Sequence, residues 1–438
     1  MTTTTYSIDI PIRDQVDVLV CGGGPAGVAA ALAAAGQGAT VHIIENSNCL
    51  GGMGTIGLVP AFMPFTDGVN FLAGGIGRLV LDRLEAAGGV WPSERGTTVP
   101  IKPEVLKRVY DDLCEEAGVA VTFHARAIDV QRQAGRIERV ICAAKSGLFA
   151  IAAKAVVDGT GDGDICAHAG APFDLGDEHG AMMPTTLCSI WAEVDWQAYE
   201  AAGSPSVEGR IEEALADGVL SVEDRHLPGM WPTAARIGGG NVGHCFACDG
   251  TDERSLTAAY IWGRRSMREY EQYYRRYIPG HEQVELVATA ALMGVRETRR
   301  IRGDYQLNSA DFRPDSSFPD EIGRFSYPID IHLAKPDKAS FDEHKRLFTG
   351  GRLGRGEHYG IPYRILTPQG LDNVLVAGRC VSTDRSMQAS IRVMPGCFIT
   401  GQAAGIAAAM VAAGCPDIRA VDITDLQARL RRLGAFLP

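Results

Sequence analysis

The segment VDVLVCGGGPAGVAAALAAAGQGATVHIIEN, residues 16–46, constrains this chain more than any other. A continuous apolar run stopped by glycine reads as a buried strand. The Ala-rich stretch after it has strong helix propensity and closes on glycine. A second apolar run then ends at Glu45. Strand, helix and strand in this order make a βαβ unit, parallel and right-handed by default. Gly22, Gly24 and Gly27 stand in G-x-G-x-x-G spacing at its first junction. Gly22 allows the tight turn. Gly24 lets a pyrophosphate approach the helix N-terminus, where free N–H groups and the dipole favour an anion. Gly27 lets the helix pack on the strand. Glu45 can accept hydrogen bonds from a ribose diol, and its charge would repel a 2′-phosphate, which disfavours NADP. Pro25, Ala26 and Asn46 flank these positions and join the candidate cofactor-binding set.

Three further features point to FAD rather than NAD. NCLGGMGT follows Glu45 closely; its Gly51, Gly52 and Gly54 leave bare backbone that extends the cradle toward a longer ligand, and Met53 and Thr55 join the candidate cofactor-binding set. Short strands separated by AGR and KSG turns, with Ala127 among them, form a meander that returns to the sheet at VVDGTGDGD; its Gly161 and Asp162 lie in a second Gly-rich turn. NVLVAGRC is a late strand ending in Gly378 and Arg379. The small-residue helix MPGCFITGQAAGIAAAM follows, with Pro395 and Gly396 near its start. A helix N-terminus there could face the negative edge of a reduced isoalloxazine.

With 438 residues, the chain is long enough for two domains. From about 171 to 355 aromatics, prolines and charges rise and the strand–helix alternation disappears; after LDNVLVAGRC the Ala/Gly-rich style returns. The expected architecture is α/β: a Rossmann-like FAD-binding domain, parallel sheet plus antiparallel meander, made of residues 1–170 and 356–438. An α+β substrate-capping domain, 171–355, is inserted into it. The net charge of −11 argues against a nucleic-acid or anionic-membrane partner. No apolar stretch is read as a membrane span, and the N-terminus shows no secretory pattern. Eleven dispersed cysteines fit reduced thiols in a cytoplasm. A homo-oligomer is left open, and no metal site is expected.

In order along nearly the whole chain, LGGMGT, VVDGTGDGD, GVRETRRIRGDY, IPYRILTP and NVLVAGRC…ASIRVMPGCFITGQAAG resemble the FAD-dependent oxidoreductases with a glutathione-reductase-like FAD domain. The resemblance implies a two-domain flavoprotein with redox chemistry at the domain interface; it does not imply a substrate. One departure stands out. Related FAD domains often carry Asp after the glycine of the late strand, to bind ribitol. Here Arg379 holds that place, leaving Arg379, backbone or Asp162 to make the contact.

The segment MGVRETRRIRGDY places Arg296, Arg299, Arg300 and Arg302 within seven residues. Read as strand or helix, Arg296 and Arg300 share a face, and either could orient a substrate carboxylate or stabilise a reduced flavin. A salt-bridge network through Glu297 and Asp304 is the bland alternative. His332 is a candidate general base, and Tyr359 and Arg364 are candidates on a substrate-facing loop. RIGGGNVGH repeats the glycine spacing at Gly238, Gly240 and Gly243 without a flanking strand and helix. A glycine-rich loop near the substrate, rather than a second nucleotide site, is expected there. HCFAC offers one C-x-x-C pair, poor grounds for a metal or redox site. The expected reaction is hydride removal from a small polar substrate, a carboxylate or a sugar-like alcohol, to flavin N5. Reoxidation would be by oxygen, a quinone or a protein carrier. An NAD(P)H-dependent flavin monooxygenase and a non-catalytic FAD-binding redox module are the alternatives.

Overall fold

A computed structural model describes residues 4–92, 97–227 and 229–437. The βαβ unit forms as expected: strand β1 (Ile12–Cys21), helix α1 (Pro25–Ala35) and strand β2 (Val41–Ile44), with β1 and β2 parallel from Val18↔Val41 to Cys21↔Ile44. The sheet runs from Ala120–Thr122 through β2 and β1 to Gly147–Asp158, all parallel. The strand Gly147–Asp158 is twelve residues long and serves two neighbours on its far side. Its first half pairs antiparallel with Arg136–Ala144, which pairs in turn with Ala125–Gln133; this is the meander. Its last residues, Val156 to Asp158, pair in parallel with Val374–Val376 from the far end of the chain.

Helix α1 is not amphipathic. Ala26 to Ala34 are all buried, because the sheet covers one side and helix Met394–Ala412 the other. The two helices approach closely enough that side chains are excluded between them. A Cβ on Gly401 would lie 2.2 Å from the Ala26 carbonyl oxygen, and one on Gly405 2.1 Å from that of Ala30. By length and apolar composition Met394–Ala412 could cross a membrane, which corrects the expectation that no stretch qualifies; 94% of its apolar window is buried inside the protein, as in a core helix. Gly405→Ala should destabilise the protein by about 1–3 kcal/mol through overpacking. This is opposite in sign to the intrinsic helix preference of Ala. Gly350→Ala is the control, since a Cβ there meets nothing within 4 Å. Denaturant unfolding of the two variants checks this, and a gain in stability at Gly405 would contradict the packing account.

A second core is built from residues between Leu187 and Met293. An antiparallel sheet, in the order Gly229–Ala234, Ile237–Asn241, Ser189–Ala192, Glu285–Thr289, packs with helix Glu253–Tyr277. Tyr270, Tyr273, Tyr274 and Tyr277 are buried at helical spacing and form a packing face. Ile301, Leu307, Ile322 and Phe325 already belong to the first core, earlier than the boundary expected near 356. Three of the four glycines of RIGGGNVGH are not in a loop: Gly238 to Gly240 lie in the strand Ile237–Asn241, and Gly243 follows it. A Cβ on Gly240 would meet Trp191, and one on Gly243 would meet Tyr270, so both are there for packing.

Candidate functional site

The fingerprint glycines hold three different physical positions. Gly22 has φ +96°, and a Cβ on it would lie 2.5 Å from the Gly159 carbonyl oxygen. Gly27 is tighter still, its Cβ position lying against the Gly22 carbonyl. Gly24, the N-cap of α1, is in ordinary extended geometry, and a Cβ there meets no protein atom within 4 Å. The open space beside Gly24 is what a pyrophosphate at a helix N-terminus needs. Glu45 is fixed beside this turn: its carboxylate accepts from Gly23 N at 2.7 Å and Ser47 N at 2.6 Å.

One cavity of about 1070 Å³ starts at this turn. It exceeds the range of about 300–1,000 Å³ usual for a single small ligand. Gly22, Gly24, Pro25, Ala26, Glu45, Asn46, Gly52 and Met53 line its first part, followed by Ala127, Gly161, Asp162, Gly378 and Arg379. The residues present therefore fit an elongated dinucleotide such as FAD. Arg379 and Asp162 meet at the wall: Arg379 donates to Asp162 Oδ1 at 2.6 Å and to the Val295 carbonyl at 3.0 Å, and Thr298 also donates to Asp162.

Other candidates stand outside the cavity lining. The Gly51 Cβ position is filled by Thr55 and Tyr110, and Thr55 is buried with its hydroxyl donating to the Leu50 carbonyl at 2.6 Å. These two shape the loop from behind. A Cβ on Gly396 would lie 2.3 Å from the Ile391 carbonyl oxygen. Around Pro395 and Gly396 it is Val393, Met394 and Cys397 that reach the cavity.

The four arginines diverge, because only Arg299–Ile301 forms a strand and residues 293–298 are irregular. Arg296 lines the cavity, buried, with one guanidinium nitrogen donating to the Pro184 carbonyl at 2.8 Å. Burial, with Arg392 nearby, lowers its pKa to about 10, which leaves it charged at neutral pH. Arg300 does not share that face. It pairs with buried Glu297 and donates to the Gly176 carbonyl. Glu297 also binds Arg385 at 3.0 Å and accepts from Met183 N at 3.0 Å. Arg299 pairs with Asp164, and exposed Arg302 with Asp174. Tyr359 is fully buried, its hydroxyl on Ser390, because the strand Tyr359–Pro362 pairs with Glu321–Phe325 inside the first core. Arg364 is held outside the cavity by Asp320 at 2.9 Å. Arg300, Tyr359 and Arg364 are thus structural.

His332 lies where a base is useful, in the cavity wall that also holds Arg296, Asp330, Lys345 and Arg392. His332 Nδ1 is 2.9 Å from His244 Nε2, and His244 Nδ1 is 3.0 Å from Asp224. His332 Nε2 stands 3.3 Å from Asp330, whose carboxylate also meets Arg392 at 3.2 Å. Burial and the charge of Arg296 push His332 well below the usual imidazole range, and burial lowers His244 to about 4. Both rings are neutral at neutral pH. Burial opposes ionisation of Asp330, but the charges of Arg392 and Arg296 hold its carboxyl well below the ordinary range. Among the described residues no group of three His, Cys, Asp or Glu side chains is arranged to hold a metal ion. Cys245 and Cys248 are free and buried, and burial pushes the Cys245 thiol up to about 12.

Sequence reasoning missed Arg392, Asp330 and Asp224. Arg392 left a signal: it is the one charge in MQASIRVMPGCFITGQ, an otherwise uncharged block that reads as buried. Asp330, two residues before His332, had the same strand parity. Asp224 left none, since it comes from a loop in the second core.

Comparison with known proteins adds the following. The family model described as FAD dependent oxidoreductase matches residues 17–430. No curated protein matches the chain. Similar solved structures include a geranylgeranyl bacteriochlorophyll reductase-like protein from Thermoplasma acidophilum, 13% identical, covering 96% of this chain and 82% of that one, with a TM-score of 0.45. A flavin-dependent brominase (a triple mutant) is 13% identical, with 95% and 84% covered and a TM-score of 0.42. The anhydrotetracycline hydroxylase of Streptomyces rimosus is 12% identical, with 95% and 66% covered and a TM-score of 0.42.

Proposed function

Because this chain belongs to the family of FAD-dependent oxidoreductases, we propose that it removes a hydride from a small anionic alcohol bound in its cavity. The observation that carries this reading is the cavity's continuity. It runs from the pyrophosphate cradle at Gly24 to Arg296, Arg392 and Lys345, with His332 among them. FAD, when bound, supplies the hydride acceptor. The protein supplies position, charge and a proton acceptor. Arg296, buried, and Arg392, half-buried, are cationic and bind and orient a carboxylate or comparable anion. Neutral His332 takes the hydroxyl proton as the carbonyl forms.

Anaerobic incubation of the FAD-loaded protein with a panel of hydroxy acids and polyols tests this. Bleaching of the flavin band by an anionic alcohol is the expected result. Rapid bleaching by NADPH alone would overturn it in favour of monooxygenase-type chemistry. With a reducing substrate in hand, Arg296→Met should retain FAD but raise the half-saturating substrate concentration roughly 10- to 100-fold, the scale of a lost charged hydrogen bond. An unchanged concentration dependence would remove Arg296 from substrate binding.

A further inference from the structure

The contacts around His332 have a proton count that does not close. Asp224, His244, His332 and Asp330 form a row with three contacts, of 3.0, 2.9 and 3.3 Å. Two neutral imidazoles carry one N–H each, and two carboxylates carry none. Two protons therefore serve three contacts. The two short contacts take them: His244 donates from Nδ1 to Asp224, and His332 donates from Nδ1 to His244 Nε2. The longest contact, His332 Nε2 to Asp330, is left without a proton. The vacancy sits at the cavity end, since His332 and Asp330 both line the cavity.

The other end reaches a different space. A separate hollow of about 30 Å³, room for at least one water, is lined by Asp224, His226, His244 and His332, and by exposed Lys335 and Asp337. Asp224 is absent from the cavity lining and His332 borders both spaces.

We propose that His332, His244 and Asp224 form a proton relay that carries the substrate's hydroxyl proton out of the cavity to the outer hollow, with Asp330 flanking its entrance. It rests on the reading above, that a hydroxyl proton is lost in the cavity. The substrate O–H bond breaks and an N–H bond forms at His332 Nε2. The Nδ1 proton of His332 passes to His244 Nε2, and the Nδ1 proton of His244 passes to Asp224 and on to solvent. The C–H electron pair leaves as hydride to the bound flavin. His244 and Asp224 never touch the substrate; they are positioning residues acting through His332.

Other charges bear on the row. Arg296 and Arg392 face Asp330, and Tyr327 points its hydroxyl at the same carboxylate from 3.4 Å. His226, held by Glu208 at 3.0 Å, stacks on His244, and His344 lies beside His332 with its Nδ1 on the Ile331 carbonyl. Arg225 and Lys335 border the hollow. The cationic side facing the cavity disfavours a proton resting on His332, which promotes onward transfer.

The test is the tautomer of each ring, read by nitrogen NMR of histidine-labelled, FAD-bound protein near neutral pH. The relay requires Nδ1–H on both His244 and His332 in the native protein. In Asp224→Asn the new amide can donate to His244 Nδ1. All three contacts then hold a proton only if both rings switch to Nε2–H, so His332 should change tautomer two groups away from the substitution. Asp330→Asn should instead lock His332 as Nδ1–H. Native rings in any other tautomer, or a His332 tautomer indifferent to Asp224→Asn, would overturn the relay. The native spectrum alone decides if a variant does not fold. No turnover is needed: a failed relay with FAD bound leaves the oxidoreductase reading standing, and a substrate panel that bleaches nothing leaves the tautomers as measured.

Discussion

Gly24→Asp is expected to weaken FAD binding by at least about 100-fold while leaving the apoprotein folded. The two effects separate because Gly24 has room and ordinary backbone geometry. Its φ of −68° suits any residue, and a Cβ meets nothing within 4 Å. Asp is also a good N-cap, so helix α1 should be unharmed or stabilised by a few tenths of a kcal/mol. A carboxylate there would face the pyrophosphate. Two unit charges 4 Å apart repel by about 4 kcal/mol at an effective dielectric of 20. This exceeds the roughly 2.7 kcal/mol that 100-fold represents. Titration of the apoprotein with FAD, followed by flavin fluorescence, gives the affinity; thermal melting of the apoprotein gives the stability. Undiminished affinity would mean that the pyrophosphate lies elsewhere. Gly22→Ala cannot make the same separation, since φ +96° and a carbonyl 2.5 Å away strain the fold itself.

Glu297→Ala should have the opposite profile, a loss of stability of about 3–5 kcal/mol. Glu297 is fully buried and joins its neighbour Arg300 to two partners from distant segments, Arg385 and the Met183 amide. Its removal leaves two guanidinium groups facing a vacated low-dielectric space. Arg300 would keep the Gly176 carbonyl, and Arg385 only Asp177 at 3.6 Å. Arg302→Ala is the matched control from the same segment. Its pair with Asp174 is solvent-exposed, and the unfolding midpoint should stay where it is. Denaturant unfolding of the three proteins settles the comparison; equal midpoints for Glu297→Ala and the native chain would dismiss the network as a stabilising element.

These two residues also mark where the sequence could be read and where it could not. The glycine fingerprint was legible because each glycine answers to a local constraint: a turn, a ligand approach, a helix–strand contact. The meander was legible because its turns and its alternation are local too. Which arginine faces the cavity was not. That depends on residues 293–298 being irregular, which breaks the periodicity that put Arg296 and Arg300 on one face. His332 could be proposed as a base from its residue type and strand-like setting. Its partners could not, since His244 and Asp224 lie 88 and 108 positions away in sequence. Only the packing of the second core against the loop before helix Lys338–Gly350 brings them together. Tyr359 and Arg364 were misread because a position just before the chain re-enters the first domain does not say which side of a strand faces the ligand.

The strand Gly147–Asp158 also fixes an order of events during synthesis. Strand Gly147–Asp158 and helix α1 are made long before their partners from residues 374–412. Val374–Val376 completes the parallel sheet, and Met394–Ala412 covers the outer side of α1. Until about residue 412 has emerged, an alanine-rich helix with every side buried in the finished protein has one side bare. Contacts spanning over 370 residues are slow to close. The nascent chain must wait with exposed apolar surface, the state in which chaperones bind and aggregation competes.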